Sequence, residues 1–258
     1  SNFFISEKRA VRFAQRLIKN KTNIKWGDVN GRIREMSRYK RSTWTLMKKS
    51  GLSCVLVGTE SGDNETLAFM KKGLTVSDTI KFTKICAEFD IKILSSFLVG
   101  FPRYQTPKEN FHSVEKEIDY AFRLIDKMYK IYPRIRTMFA LYLPYPSSGL
   151  FDQSKNIGLE IPKHLEEWGD YLIAAEDMTK QKVRQKWITP KQARKILMAS
   201  VYIFFFLDPD SFDMVTGKIT NQVKKEILRW CFWLGKTLAT LRWKYKFFGF
   251  PIDFYIYN

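Results

Sequence analysis

Apolar positions along the chain recur at two spacings, and the changes from one to the other set out the elements. From Ser6 the series Ala10, Val11, Ala14, Leu17, Ile18 repeats every three to four residues, which gives a helix one apolar stripe. "NIKWGDV" after it reads as a short strand entering a glycine-containing loop. A second helix over 42–49 stops at Gly51, as helices with a C-terminal glycine do, and "SCVLVG" follows as a buried strand. Helical stretches at 63–72 and 76–89 precede the strand "KILSSFLVG". A helix over 107–132 carries Val114, Ile118, Ala121, Phe122, Ile125 and Tyr129 on one stripe, and "RTMFALYLPYP" is the next strand.

Strands near Ile24, Ser53, Lys92 and Arg136, each separated by helix, are spaced as successive βαβ units, so the pattern predicts an α/β fold with a parallel sheet. The apolar runs in "CVLV" and "FLVG" are nearly continuous, which predicts strands covered on both faces. In a parallel barrel the loops that follow the strands carry the chemistry, which directs attention to Asn2, 27–32, 58–63, 100–104 and 144–149. From Pro162 the alternation stops. The remainder reads as helical, with a break at "LDPDSFD", a Trp-rich helix over 224–241 and an aromatic tail, giving a division into 1–161 and 162–258.

Composition adds constraints. A chain of 258 residues with 45% hydrophobic and 16% aromatic content can bury a substantial core. The longest apolar runs, such as "VYIFFFL", fall far short of the roughly 20 residues that a membrane-crossing helix needs, and no secretory signal opens the sequence, so a cytoplasmic location is expected. Cys54, Cys86 and Cys231 are too widely spaced for a shared ligand loop, and their apolar neighbours predict buried free thiols. His112 and His164 stand in polar helical contexts with neither a nucleophile nor a metal partner at telling spacing, so no metal site is expected.

The net charge of +18 is mostly spread over polar helix faces, as in "KICAEFDIK". The exception is "LRWKYKFFGF", where basic and aromatic residues interleave. A docked tail with lysine stems lying along apolar surface is the expectation there, ahead of a grip on phosphates or lipid headgroups.

Taken alone, "GTESGD" needs only a turn and a helix cap, with Ser61 or Asp63 capping the next helix. Its place in an ordered series of polar or glycine-rich loops, all on one rim of a parallel sheet, makes Glu60 and Ser96 candidates for bonding the hydroxyl or ammonium groups of a cofactor-sized ligand.

The ordered set "NFFIS", "IKW" followed by Arg32, "GLSCVLVGTESGDNETLAFMKKGLT", "SSFLVGFP", "YLPYP", "LEEWGDY" and "LRWKYKFFGFP" resembles the radical S-adenosylmethionine (SAM) superfamily, and within it the branch with a cobalamin-binding domain. The resemblance implies a partial (βα)6 barrel with a helical C-terminal appendage. In that family a CxxxCxxC loop holds a [4Fe–4S] cluster, and reductive cleavage of SAM gives a 5′-deoxyadenosyl radical. Carried over by position, Glu60 and Ser61, after strand four, would contact SAM polar groups, and Ser96 on strand five its ribose. Leu98 and Gly100 would line the adenine, Arg32 would meet the methionine carboxylate, and Asn2, at the end of strand two, would lie near the amino group.

The departures shape the expectation equally. No CxxxCxxC occurs in the chain, "GFPGET" of the family is here "GFPRYQT", and "PYPGT" is "PYPSS". The chain therefore reads as strands two to six of the barrel. It would be a C-terminal fragment, inactive alone, of a protein that holds cluster and cobalamin elsewhere and acts on a small-molecule or lipid-linked substrate with an electron-donor protein. No nucleic-acid partner is expected, and peripheral membrane contact is compatible with catalysis. The rival from another class is a non-catalytic basic protein that binds nucleic acid or an anionic membrane, marked by steep salt dependence.

Overall fold

The computed structural model describes residues 3–168 and 185–253. The expected alternation is present. Helix α1 (Glu7–Lys19) is capped by Ser6, whose hydroxyl accepts from the Arg9 N–H, and leads to strand β1 (Val29–Gly31). Helices α2 (Ile33–Met36) and α3 (Arg41–Lys49) precede β2 (Cys54–Glu60). Helices α4 (Asn64–Phe69) and α5 (Val76–Glu88) precede β3 (Lys92–Val99), and α6 (Pro107–Ile131) leads to β4 (Ile135–Leu141).

The strands form one sheet in sequential order, β1-β2-β3-β4, with β2 parallel to both β1 and β3. A helix between neighbouring parallel strands returns the chain to the same end of the sheet, so every strand points its C-terminal end at one rim. Of the expected strands two to six, these four correspond to three through six. Phe3–Ile5 form a single 3-10 turn, and Asn2, where strand two was expected to end, lies outside the described residues.

Three sequence expectations need correction. β1 begins at Val29 because Asp28, at φ +56°, breaks the ladder; upstream only Trp26 pairs, as an isolated bridge to Leu52. The strands are not covered equally on both faces. Along β3, Ser95, Phe97 and Val99 are buried while Leu94, Ser96 and Leu98 are half-buried, and β2 and β4 alternate in the same way. Helix α4 ends at Phe69 rather than Lys72, with consequences for the site described below.

By its contacts the chain forms two compact units. One comprises Ser1–Phe97 with Tyr120–Met138, the other Leu98–Asp119 with Phe139–Asn258. The first buries Phe4, Trp44, Met47, Val55, Phe82, Ile93 and Phe97. In the second, α7 (Phe151–Asn156) and α8 (Pro190–Leu197) come first; α8 continues through a π-helical stretch, Met198–Ile203, into α9 (Phe204–Leu207). Helices α10 (Ser211–Thr216) and α11 (Gln222–Tyr245) follow. Trp187, Tyr202, Phe204 and Met198 are buried here.

Cys54 and Cys86 are buried, but Cys231 is exposed, against expectation. Burial, and then the hydrogen bond that the Cys54 thiol donates to Asp28 (2.9 Å), pushes this thiol up to about 12; burial alone raises Cys86 well above its ordinary value. Thiolate is the reactive form. Iodoacetamide on the native chain at mild alkaline pH is therefore expected to label Cys231 only, with Cys54 and Cys86 labelled after unfolding. Mass mapping that finds Cys54 labelled natively would contradict its placement.

Candidate functional site

The first unit has a cavity of about 430 Å³ at the rim of β1 and β2. Its walls come from three segments: Gly31–Glu35 after β1, Gly58 and Glu60 at the end of β2, and Met70–Leu74 after α4. Local geometry explains how each segment arrives there.

Strand β2 would end pointing Thr59 and Glu60 to alternate faces, but its register with β3 slips between Gly58 and Glu60, so that Glu60 pairs with Phe97. A bulge of this kind re-aims a side chain. Thr59 is turned inward, where its hydroxyl and that of Ser95 share a hydrogen bond at 2.7 Å. Glu60 sits at φ +64°, and the Ser61 N–H donates across it to the Thr59 carbonyl at 2.8 Å. That bond closes a three-residue γ-turn of the rarer, strained hand, of order 1–3 kcal/mol for a residue with a side chain.

The turn folds the Glu60 carboxylate back over Gly58, where a Cβ would overlap Oε1, so a larger residue at 58 would displace the carboxylate from this position. The Glu60 side chain is only 11% exposed, and its Oε1 accepts from Lys72 Nζ at 2.6 Å.

Lys72 is the residue that sequence reasoning missed, since the helical stretch over 63–72 takes it as the last residue of α4. Helix α4 closes instead with the Lys71 N–H on the Ala68 carbonyl (2.9 Å) and the Lys72 N–H on the Leu67 carbonyl (3.1 Å). This paired closure requires a left-handed residue, here Lys71 at φ +52°. The usual signal is a glycine at that position. In "MKKG" the glycine comes two residues later, also left-handed at φ +63°, so the stop was hidden and Lys72 was read as helical.

Arg32 lines the same cavity and pairs loosely with Glu35 at 3.8 Å, its side chain 67% exposed. Arg34, Lys71 and Lys72 add positive charge to the walls, against Glu35 and Glu60. The structure thus brings Glu60 and Arg32 together and leaves the other sequence candidates elsewhere. Ser61 is buried and accepts from the Asp63 N–H at 3.1 Å, a turn contact; Asp63, not Ser61, caps α4. Ser96 stands beside Gly58 in the ladder on the half-buried face, its hydroxyl 3.5 Å from the Val57 carbonyl.

Leu98 and Gly100 belong to the second unit. Gly100, at φ +91°, donates its N–H to Glu117 Oε2 at 2.8 Å and accepts at its carbonyl from Trp187 Nε1 at 3.0 Å. Its backbone is thereby tied into the protein, while Leu98 remains half-buried.

A nearly buried carboxylate and a guanidinium lining one cavity suit a ligand that carries an ammonium and a carboxylate, as an amino acid does. An "Uncharacterized methyltransferase" from Pyrococcus horikoshii is 27% identical over 207 residues, covering 80% of this chain. The chain is a relative of a methyltransferase. It spans 39% of that relative's length.

No protein-family model matches the chain. Among solved structures, the radical S-adenosylmethionine methyltransferase TsrM from Kitasatospora setae, with cobalamin and a [4Fe-4S] cluster bound, is 22% identical, with a TM-score of 0.40 over 55% of this chain and 26% of TsrM. The cobalamin-dependent S-adenosylmethionine radical enzyme OxsB, with aqua-cobalamin and S-adenosylmethionine bound, is 16% identical, with a TM-score of 0.41 over 93% of this chain and 37% of OxsB.

Proposed function

We propose that this chain supplies part of the SAM-binding rim of a radical SAM enzyme, and that the whole protein transfers a methyl group with the help of cobalamin. The observation that carries the reading is Glu60: a buried acid on a strained turn at the end of a parallel strand, in a cavity it shares with Arg32. The sequence relationship to a methyltransferase over 80% of the chain supports the reaction class.

The methionyl end of SAM is a zwitterion. Glu60 would take its ammonium, and Arg32, with its planar fork, its carboxylate. Gly31, Gly58 and Gly73 contribute backbone to the cavity lining.

The [4Fe–4S] cluster of such an enzyme supplies the electron that cleaves SAM. Thiolates hold such clusters, and the thiols here do not fit one. Cys54 and Cys86 are buried and held protonated, and among the described residues no three His, Cys, Asp or Glu side chains gather as a ligand group. The cluster is assigned to a CxxxCxxC elsewhere in the whole protein, together with cobalamin and the contact with an electron donor. The acceptor is a small or lipid-linked molecule.

The test is calorimetric titration of SAM into the full-length protein after anaerobic iron–sulfur reconstitution. Glu60→Ala is expected to weaken binding by about tenfold or more, the loss of a charge-assisted hydrogen bond. Unchanged affinity would remove Glu60 from the site.

A further inference from the structure

Helix α11 carries one face that is exposed among the described residues of its own unit. On its inner side Gly235 lies against the ring of Phe206, Ala239 is buried, and Trp243 packs edge-on against Phe204 with ring centroids 4.8 Å apart. On the outer side Val223, Ile227, Trp230, Leu234, Leu241 and Tyr245 are all exposed, Trp230 at 70%. Their spacing of four, three, four, seven and four residues puts them on one straight stripe. Over 24 residues this stripe is about 36 Å long. At its C-terminal end it meets Phe250, 80% exposed, and Ile252, because Arg242 turns inward and ties the following loop down. Arg242 does so through Asp253 (Nε to Oδ2, 2.7 Å) and the carbonyls of Phe247, Gly249 and Phe250. The loop is therefore docked as expected, with Phe247 and Phe250 exposed and Phe248 half-buried.

The charges along this helix are predominantly positive. It holds Lys224, Lys225, Arg229, Lys236, Arg242 and Lys244 against a single acid, Glu226. Arg229 pairs with Glu226 and Arg242 with Asp253, while Lys236 and Lys244 stand exposed. Lys246, just beyond, lies over the Trp243 ring.

We propose that this stripe is a docking face for an anionic lipid bilayer, with α11 lying in the plane of the headgroups. Aromatic and aliphatic residues on one face with lysine and arginine beside them is the composition of helices that rest in a membrane interface. A predominance of positive charge complements an extended anionic surface. Crossing is a different matter: among the described residues no helix is long and apolar enough for it. A single-stranded nucleic acid would also meet base and ring, but Val223, Ile227, Leu234 and Leu241 offer no π-face for a base to stack on.

The experiment is flotation of the chain with vesicles of phosphatidylcholine alone and of phosphatidylcholine mixed with phosphatidylglycerol. Binding is expected to the mixed vesicles, with a blue shift of tryptophan emission. It should fall by about tenfold or more when Ile227, Trp230 and Leu234 are all replaced by Glu. Lys236→Glu with Lys244→Glu should abolish the preference for the anionic vesicles; since both positions are exposed, this pair keeps the test decisive if the triple variant does not fold. Three results would each overturn the proposal: no binding to the mixed vesicles, a triple variant that is folded by circular dichroism and binds as well as the parent, or a stripe occupied otherwise in solution. The last would appear as a dimer by light scattering that the triple variant converts to monomer, or as capture of a single-stranded oligonucleotide that the vesicles do not compete away.

Discussion

Gly62→Ala is expected to lower the stability of the chain by about 3 kcal/mol or more, seen as a reduced urea midpoint. Gly62 lies in the turn between Glu60 and α4, directly against helix α6. A Cβ there would overlap the Tyr120 carbonyl and come within 2.6 Å of the Ala121 nitrogen. These are backbone atoms within a 25-residue helix, so no rotamer change relieves the overlap. Either α6 moves or the turn does. Because the turn begins at Glu60, the variant should also lose ligand affinity in proportion. An unchanged midpoint would show that α6 does not approach the turn this closely.

The second large effect is an asymmetry within one ion pair. Lys72→Met should destabilise by about 2–3 kcal/mol, since it leaves a nearly buried carboxylate without its hydrogen-bond donor. Glu60→Gln should cost under about 1 kcal/mol, because Lys72, with a side chain 38% exposed, can turn to water. Were the pair an ordinary surface contact, both substitutions would cost little and cost the same. Urea denaturation of the two single variants and the double variant distinguishes the cases, and equal small losses would refute the burial argument.

Much of the scaffold was legible in the sequence for reasons these residues make plain. Helix starts carried their own caps: Ser6 for α1, Asp63 for α4, and Thr75 with Asp78 as a reciprocal box for α5. The strand at "SCVLVG" and the loop that places Glu60 followed from an apolar run meeting a glycine-rich turn. The site's second partner was hidden because a lysine, not a glycine, takes the left-handed position that stops α4. Cys231 was misread for another physical reason. Its neighbours on α11 are apolar, and an apolar neighbourhood in sequence cannot distinguish a face packed in a core from one turned outward. The same ambiguity concealed the stripe from Val223 to Tyr245.

The γ-turn at Glu60 sets two selections against each other. A residue at φ +64° is most comfortable as glycine, or failing that asparagine, whereas the cavity beside it calls for an acid. Variants chosen from a library for heat resistance alone would thus drift toward removing the carboxylate while the fold improved. A thermostabilised version of this chain should have position 60 held fixed from the start.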